Sequence, residues 1–207
     1  MIGNEPDLPA GVAAATRRAE AMGFEWSCEP GAGRLLAVLA AAVPEQGRIL
    51  EIGTGAGVGT AWLVEGLRGR GDAALVSVEI DPHPALLAAR SGWPPWVELI
   101  CSDFLTLVEE LGTFDLVFAD AEGGKWHGIE RTLALLRPGG VFVVDDMRDP
   151  EDAGAPSLQA RMAAVHDAFG LGASRDVVRD ALLDRVDLVS VELEYSTGLI
   201  LATRVRC

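Results

Sequence analysis

Short apolar runs alternate with helical stretches along the chain from residue 48 onward. The apolar runs are rich in β-forming residues, which predicts strands at 48–52, 74–80, 97–101, 114–120 and 140–146. The stretches between them predict helices at 58–69, 82–90, 103–111 and 125–136. Strands that are apolar along their whole length and alternate with helices are typical of a parallel sheet covered on both faces. The pattern therefore predicts an α/β, doubly wound sheet.

The two ends of the chain break this alternation. Two helices are predicted before the first strand, at 8–22 and 31–43, and one more near 157–169. The last two β-like runs, 185–193 and 196–205, are separated by too few residues for a parallel crossover, so they must pair as an antiparallel hairpin. We predict a single domain over 1–207 with five parallel strands and this C-terminal hairpin.

Charge and composition narrow the classes of partner. The 207 residues carry a net charge of −14, which argues against nucleic acid and anionic membranes as partners. The longest apolar runs are too short to span a membrane, and the N-terminus lacks the basic and apolar regions of a signal peptide. Three widely spaced cysteines form no metal or disulfide pattern. We therefore expect a cytoplasmic protein.

The first predicted strand runs into a glycine loop, "EIGTGAGVGT". Its glycines alternate with other residues, so the dinucleotide fingerprint GxGxxG is absent, which disfavours a dehydrogenase. Glu51 lies two residues before the first glycine. A carboxylate there would repel a pyrophosphate but would suit a ligand that carries an ammonium group.

Acidic residues follow or end each of the five predicted parallel strands: Glu51, Glu79, Asp103, Asp120 and Asp145. Ligands of doubly wound sheets bind outside the carboxyl ends of the strands, where Glu79 is placed to bind a ribose. Acids at strand ends also cap the helices that follow, and this alternative explains Asp103 well. It does not explain an acid at all five positions.

These motifs together resemble the class I S-adenosylmethionine-dependent methyltransferases, in particular the small-molecule O-methyltransferases related to the catechol and caffeoyl-coenzyme A enzymes. The resemblance rests on "LEIGTGAGVGTAWL", "VSVEIDP", "CSDF", "FDLVFADAEGGKW", "LRPGGVFVVDDM" and the closing "STGLILATRV". It implies a Rossmann-like methyltransferase sheet, S-adenosylmethionine as cofactor and methyl transfer to a small molecule, foremost at a hydroxyl oxygen. It further implies a cofactor-binding core at 48–207, N-terminal helices at 1–47 that form part of a substrate cap, and a homodimer.

The resemblance also assigns the cofactor contacts. Glu51, Gly53 and Gly55 would line the methionine end, with Thr60 and backbone amides at the cofactor carboxylate because Gly59 replaces a frequent serine. Glu79 would bind both ribose hydroxyls and Ile80 would pack on the adenine. The remaining cofactor-binding residues would be Thr54, Gly57, Asp103, Phe104 and Asp120, with Asp103 and Phe104 at the adenine edge.

Metal-dependent relatives bind a divalent cation through one acid after the fourth strand and an acid–amide pair after the fifth. The matching residues are Asp120, Asp145 and Asp146, whose oxygens suit magnesium or calcium. Two features depart from that pattern: Asp146 replaces the amide, and Lys125 follows Asp120 by five residues instead of three. In the alternative without metal, Asp120 orients the cofactor and the aspartate pair caps the next loop.

Lys125 is the single lysine of the chain, beside sixteen arginines. With Asp120 it forms the predicted catalytic pair. Partial burial would lower the pKa of Lys125, so that it could act as a general base or orient the acceptor oxyanion, and arginine could not replace it as a base. The alternative is a solvated lysine without function.

Further candidates surround the predicted site. Trp26, Trp126 and Met147 are candidates to form the acceptor wall, and His127 is either a base or a surface residue. We expect Trp93 and Trp96 at the opposite end of the sheet as structural residues. Other functions that the sequence leaves open are methylation of nitrogen or carbon and a non-catalytic S-adenosylmethionine-binding subunit. Nucleic-acid methylation is disfavoured because "DAEG" replaces the motif of base-methylating relatives.

Overall fold

The computed structural model describes residues 7–148 and 175–206. Its seven strands are β1 (Arg48–Ile52), β2 (Ala74–Glu79), β3 (Val97–Cys101), β4 (Phe114–Ala119), β5 (Leu136–Val144), β6 (Leu188–Leu193) and β7 (Leu199–Arg204). Its helices are α1 (Ala10–Ala21), α2 (Pro30–Ala42), α3 (Val58–Gly66), α4 (Pro82–Ala89), α5 (Phe104–Leu107), α6 (Glu122–Lys125), α7 (Ile129–Ala134) and α8 (Arg175–Leu183). Of these helices, none is long and apolar enough to cross a membrane.

All seven strands form one sheet in the order β3-β2-β1-β4-β5-β7-β6. The first five strands are parallel, whereas β7 is antiparallel to both β5 and β6. This confirms the predicted parallel sheet and its C-terminal hairpin. The strand order reverses between β1 and β4, so a crevice opens at the carboxyl ends of these two strands, where α/β folds bind their ligands.

The two faces of the sheet are buried against different helices. Neighbouring strand residues alternate between the faces, and Ile49 and Leu50 accordingly belong to different core clusters. The first cluster contains apolar residues of α1, α2 and α3, and the second contains residues of α7 and α8. Because both faces are covered, the parallel strands are mostly apolar.

Several predicted boundaries differ from the structure. The helix predicted at 125–136 is confined to α7, and Gly128, with a left-handed φ of +79°, separates it from the short α6 that precedes it. The helix predicted at 103–111 is confined to α5. Strand β5 begins at Leu136, four residues before the predicted start at 140, and its register with β4 shifts between Phe114 and Leu116. Helix α8 was not predicted, and the helix expected near 157–169 lies outside the described residues.

Candidate functional site

Glu51 lies at the centre of the crevice and is fully buried in β1. Its Oε2 accepts hydrogen bonds from the Thr60 hydroxyl and, at 2.5 Å, from the Ser77 hydroxyl. Burial raises the pKa of Glu51 to about 7, although both hydroxyls oppose the shift. Its Oε1 is buried as well and has no hydrogen-bond partner within residues 7–148 and 175–206. One oxygen of this carboxylate is therefore held by the protein and the other is left for a donor.

The packing around Gly59 explains why a glycine occupies this position in place of the frequent serine. A Cβ atom at residue 59 would collide with Glu51 Oε1, so only a glycine leaves room for the carboxylate at the start of α3. The hydroxyl of Thr60, predicted at the cofactor carboxylate, is fully buried and donates to Glu51. Its observed contact therefore positions Glu51, and a direct cofactor contact of Thr60 stays a prediction.

Glu79, at the end of β2, fixes the glycine loop through its carboxylate. Oε2 accepts the Gly55 N–H at 2.7 Å and Oε1 accepts the Asp81 N–H at 2.9 Å. Ile80, the next residue, is 66% exposed. An exposed apolar side chain beside an oriented carboxylate is consistent with the predicted ribose and adenine contacts, which stay predictions.

The other predicted cofactor residues lie around the same loop. The Thr54 hydroxyl is 2.5 Å from the Ser77 hydroxyl, and the Gly53 backbone lies against the Asp120 carbonyl. Asp103 caps α5 by accepting the Leu105 N–H at 2.9 Å, as the helix-cap alternative requires. The other two members of the set are placed by their own elements: Gly57 as the residue before α3, and Phe104 as a buried residue of α5.

Lys125 is buried, with 2% of its side chain exposed. Its Nζ donates to Asp146 Oδ2 at 2.7 Å, lies 4.0 Å from Asp120 Oδ1 and lies 4.8 Å from the centre of the Trp126 ring. Burial acts to lower the pKa of Lys125, but the charges of Asp146 and Asp120 outweigh it and raise that pKa. The predicted direction of this shift was therefore wrong, and Lys125 is an ammonium cation.

A kinked turn directs Lys125 inward. Gly123 has φ −69° and ψ 126°, and Gly124 has φ +90°, so the chain reverses within α6. A Cβ atom at Gly124 would lie 2.9 Å from both Ile52 Cδ1 and Phe104 Cε1, and the Thr132 hydroxyl donates to the Gly124 carbonyl at 2.9 Å. The two glycines therefore form the tight turn that buries the lysine.

The aspartate pair after β5 has a different geometry from the predicted metal site. Asp145 Oδ1 accepts the Thr197 hydroxyl and, at 2.7 Å, the Asp146 N–H, and Asp145 is buried. Burial and the Asp146 charge raise the pKa of Asp145 to about 7. Asp146 has φ +64°, a left-handed conformation that turns its carboxylate toward Lys125.

These contacts test whether a divalent cation fits. The ammonium of Lys125 lies between the Asp120 and Asp146 carboxylates, and the buried Asp145 oxygen is bonded within the protein. Among the residues of known position, no group of three His, Cys, Asp or Glu side chains is arranged to hold a metal ion. The three predicted ligands therefore do not fit a divalent cation in this arrangement.

The N-terminal segment contributes residues that were not predicted as part of the site. Cys28 is buried, and its pKa is raised by burial and by the charges of the site carboxylates, with Asp145 and Asp120 foremost. The ring of Phe24 lies against Gly55. Arg18 Nε donates to the Ala56 carbonyl at 2.8 Å, beside the glycine loop. The connection between α1 and α2 therefore covers the site.

The aromatic, methionine and histidine candidates differ in how close they lie to the site. Trp126 lies against the ammonium, Trp26 is 44% exposed, and the Met147 side chain is buried in the second core cluster. His127 is exposed. The expected place of Trp93 was wrong: its ring would lie 3.0 Å from a Cβ atom at Gly57, beside the glycine loop. Trp96 packs against the first core cluster.

Comparison with known proteins assigns the family. Residues 50–147 match a family described as "Methyltransferase domain". A catechol O-methyltransferase of Mycobacterium tuberculosis is 31% identical over 188 residues, which cover 84% of this chain and 83% of that protein.

Two solved structures share the fold. An SAH-bound methyltransferase of Podospora anserina has a TM-score of 0.80 at 21% identity, covering 99% of this chain and 91% of that one. The O-methyltransferase TomG of Streptomyces achromogenes, involved in tomaymycin synthesis and solved in complex with SAM, has a TM-score of 0.71 at 24% identity, covering 97% and 92%. The chain belongs to the S-adenosylmethionine-dependent O-methyltransferases.

Proposed function

We propose that Glu51 and Glu79 bind the cofactor of this small-molecule O-methyltransferase. In the same proposal, Lys125 donates a hydrogen bond to the acceptor oxygen and Asp120 accepts the proton of the acceptor hydroxyl. S-adenosylmethionine supplies the methyl group: a C–O bond to the acceptor forms, the C–S bond breaks, and its electron pair goes to sulfur. The protein has to align the two reactants and to accept the proton of the hydroxyl group.

The cofactor half of the proposal rests on Glu51. Its buried Oε1 has no hydrogen-bond partner in the described part of the chain, and such an atom is costly unless a ligand donates to it. The ammonium group of an amino acid is a donor of the right charge. Glu79, held by two backbone N–H groups, presents its remaining lone pairs to a pair of hydroxyls.

The acceptor half rests on one observation, the buried ammonium of Lys125 beside Asp146 and Asp120. An ammonium that donates to the acceptor oxygen favours the anionic form of that oxygen and so raises its nucleophilicity. Asp120 is the proposed proton acceptor. Its pKa is raised by burial and by the charges of Asp145 and Asp146, and 16% of its side chain remains exposed.

The proposal extends to the substrate cap and to the class of acceptor. Cys28 and Phe24 cover the site, which supports a substrate cap within 1–47. The relative named for catechol makes phenolic hydroxyls the first acceptors to test. The homodimer, the cytoplasmic location and the magnesium or calcium ion stay predictions, and the geometry of Asp145 argues against the last.

Replacement of Lys125 tests the acceptor half. Lys125→Met keeps most of the length of the side chain but removes its charge, and we expect turnover to fall on the order of a hundredfold with cofactor affinity within about threefold of wild type. Turnover is measured with a phenolic acceptor, and affinity by calorimetric titration. Arg131→Met is the matched control, since Arg131 is an exposed member of a surface ion pair with Glu109.

Lys125→Arg separates two roles of the lysine. Arginine retains a cation but cannot be deprotonated, so turnover well above that of Lys125→Met would support an ammonium that binds the oxyanion. Equal loss in both variants would support a lysine that exchanges protons. Wild-type turnover in Lys125→Met would remove this residue from the mechanism.

A further inference from the structure

The ammonium of Lys125 is held between the carboxylates of Asp146 and Asp120, at 2.7 and 4.0 Å. We propose that this ammonium takes the position and the charge of a divalent cation, so that the enzyme transfers methyl groups without a metal and needs only one hydroxyl on its acceptor. The inference rests on the proposed role of Lys125 and deepens it by excluding the metal and widening the acceptor class.

The geometry leaves too little room for a metal ion as well. Magnesium binds oxygens at about 2.1 Å in a near-octahedral arrangement, and a cation placed between Asp146 Oδ2 and Asp120 Oδ1 would overlap the Lys125 nitrogen that lies there. The Gly124 turn that carries the lysine is fixed by the Thr132 hydroxyl, and the lysine side chain is only 2% exposed. Of the third predicted ligand, Asp145, Oδ1 is occupied by hydrogen bonds from the Thr197 hydroxyl and the Asp146 N–H.

Charge leads to the same conclusion. Lys125 already neutralises one of the two carboxylates that it contacts, so a dication added beside it would face a fixed positive charge at close range. Asp146 in turn supplies a negative charge that the usual amide would not. The lysine and the aspartate therefore compensate each other, and each is explained by the other.

The ammonium also changes which acceptors suit the site. A bound cation binds both oxygens of a vicinal diol, whereas an ammonium has three N–H donors. Within residues 7–148 and 175–206, Asp146 accepts one of them, and another can donate to a single acceptor oxygen. A compound with one acidic hydroxyl, such as a monohydric phenol, should therefore be methylated about as well as a vicinal diol.

Manganese binding tests the proposal without any assay of turnover. Titration of Mn²⁺ followed by electron paramagnetic resonance should show no site on the wild-type chain with a Kd tighter than about 1 mM, the weak limit of protein sites for hard cations. Lys125→Ala should open the carboxylate pair and bind Mn²⁺ at least about tenfold more tightly. Lys125→Ala/Asp146→Asn should lose this gain. One tight equivalent of Mn²⁺ on the wild-type chain, abolished by Asp146→Asn, would overturn the proposal.

Wild-type turnover supplies a second test that needs no variant to fold. Activity toward a monohydric phenol should survive excess chelator within about twofold, and catechol should not be favoured by more than about tenfold. Activity that is lost in chelator and restored by magnesium would refute the metal-free site. If no acceptor is methylated although S-adenosylmethionine binds, the proposed function fails, while the Mn²⁺ titration still decides the role of the ammonium.

Discussion

The charged residues of the cofactor half of the site, Glu51 and Glu79, have different kinds of partner from those of the acceptor half, Lys125, Asp120 and Asp146. In the cofactor half, hydroxyl and N–H donors hold the carboxylates of Glu51 and Glu79, and one buried oxygen of Glu51 is unpartnered within the described ranges. In the acceptor half, Lys125 and Asp146 neutralise each other at 2.7 Å. The buried oxygen of Glu51 lacks a donor within the described ranges, whereas the ammonium of the second half already has a carboxylate partner.

This difference follows from where the residues come from. Glu51 and Glu79 lie on neighbouring strands, so the register of the sheet places them whatever the loops do. Lys125 depends on a turn of two glycines and a short helix, where a change of one residue would redirect the side chain. The carboxylates of the cofactor half are therefore positioned by the strands, whereas the position of Lys125 depends on its turn and on its ion pair with Asp146.

The largest expected effect comes from Glu51→Gln, which removes the charge of the cofactor half that has an unpartnered oxygen within the described ranges. The pKa of Glu51 is raised from 4.5 to about 7. Between these two pH values the folded chain therefore retains a proton on Glu51 that the unfolded chain has lost. The free energy of unfolding should therefore contain a contribution that is present below about pH 4.5 and is lost as the pH rises through 7. Glu51→Gln should be more stable than wild type at pH 8, by up to about 3 kcal/mol.

Denaturant unfolding at pH 5 and pH 8 measures this contribution. At pH 5 the two chains should differ little, because glutamine resembles the protonated acid. The same variant should bind S-adenosylmethionine more weakly at pH 8, since it lacks the carboxylate for the ammonium. A variant that is destabilised at pH 8 would mean that the carboxylate is already compensated in the free protein.

The next effect concerns Glu79 on the adjacent strand. Glu79→Ala removes the proposed ribose contacts and the acceptor of the Gly55 N–H, so cofactor affinity should fall about tenfold to a hundredfold. Glu98→Ala, an exposed acid on the neighbouring strand β3, is the matched control and should leave affinity unchanged. Calorimetric titration measures both variants. Equal affinity in wild type and Glu79→Ala would detach this carboxylate from the cofactor.

The residues on the strands could be predicted from the sequence, whereas the contacts of the loop residues could not. The five parallel strands and the hairpin follow from apolar runs and their spacing, and the strand-end acids follow from the rule that these ends meet at one edge. The raised pKa of Lys125 could not be predicted, because it depends on Asp146, which is distant in sequence and turned by an unusual backbone conformation. Cys28 approaches the site only through the packing of the N-terminal helices.

A smaller effect tests the turn of the acceptor half. Gly124 has φ +90° and its Cα faces Ile52 and Phe104, so Gly124→Ala should cost about 1–2 kcal/mol of stability and also lower turnover by displacing Lys125. Gly123→Ala is the matched control next to it. Gly123 has φ −69°, and the nearest atom to an added Cβ, on Leu105, is 3.9 Å away. Equal effects of the two substitutions would show that the turn does not position the lysine.

The smallest expected effect concerns His127, two residues beyond the lysine and exposed. Its backbone has a role, since its carbonyl accepts the Gly124 N–H at 2.6 Å and its own N–H donates to the Glu122 carbonyl at 3.0 Å. His127→Ala keeps both bonds and removes only the imidazole, so turnover and stability should change by no more than about 0.5 kcal/mol, or a factor of about two. The pH profile of kcat should keep its shape in the variant. A loss of turnover of tenfold or more, with stability intact, would make this imidazole the proton acceptor in place of Asp120, and the acceptor half would then depend on its solvent-facing edge rather than on its buried ion pair.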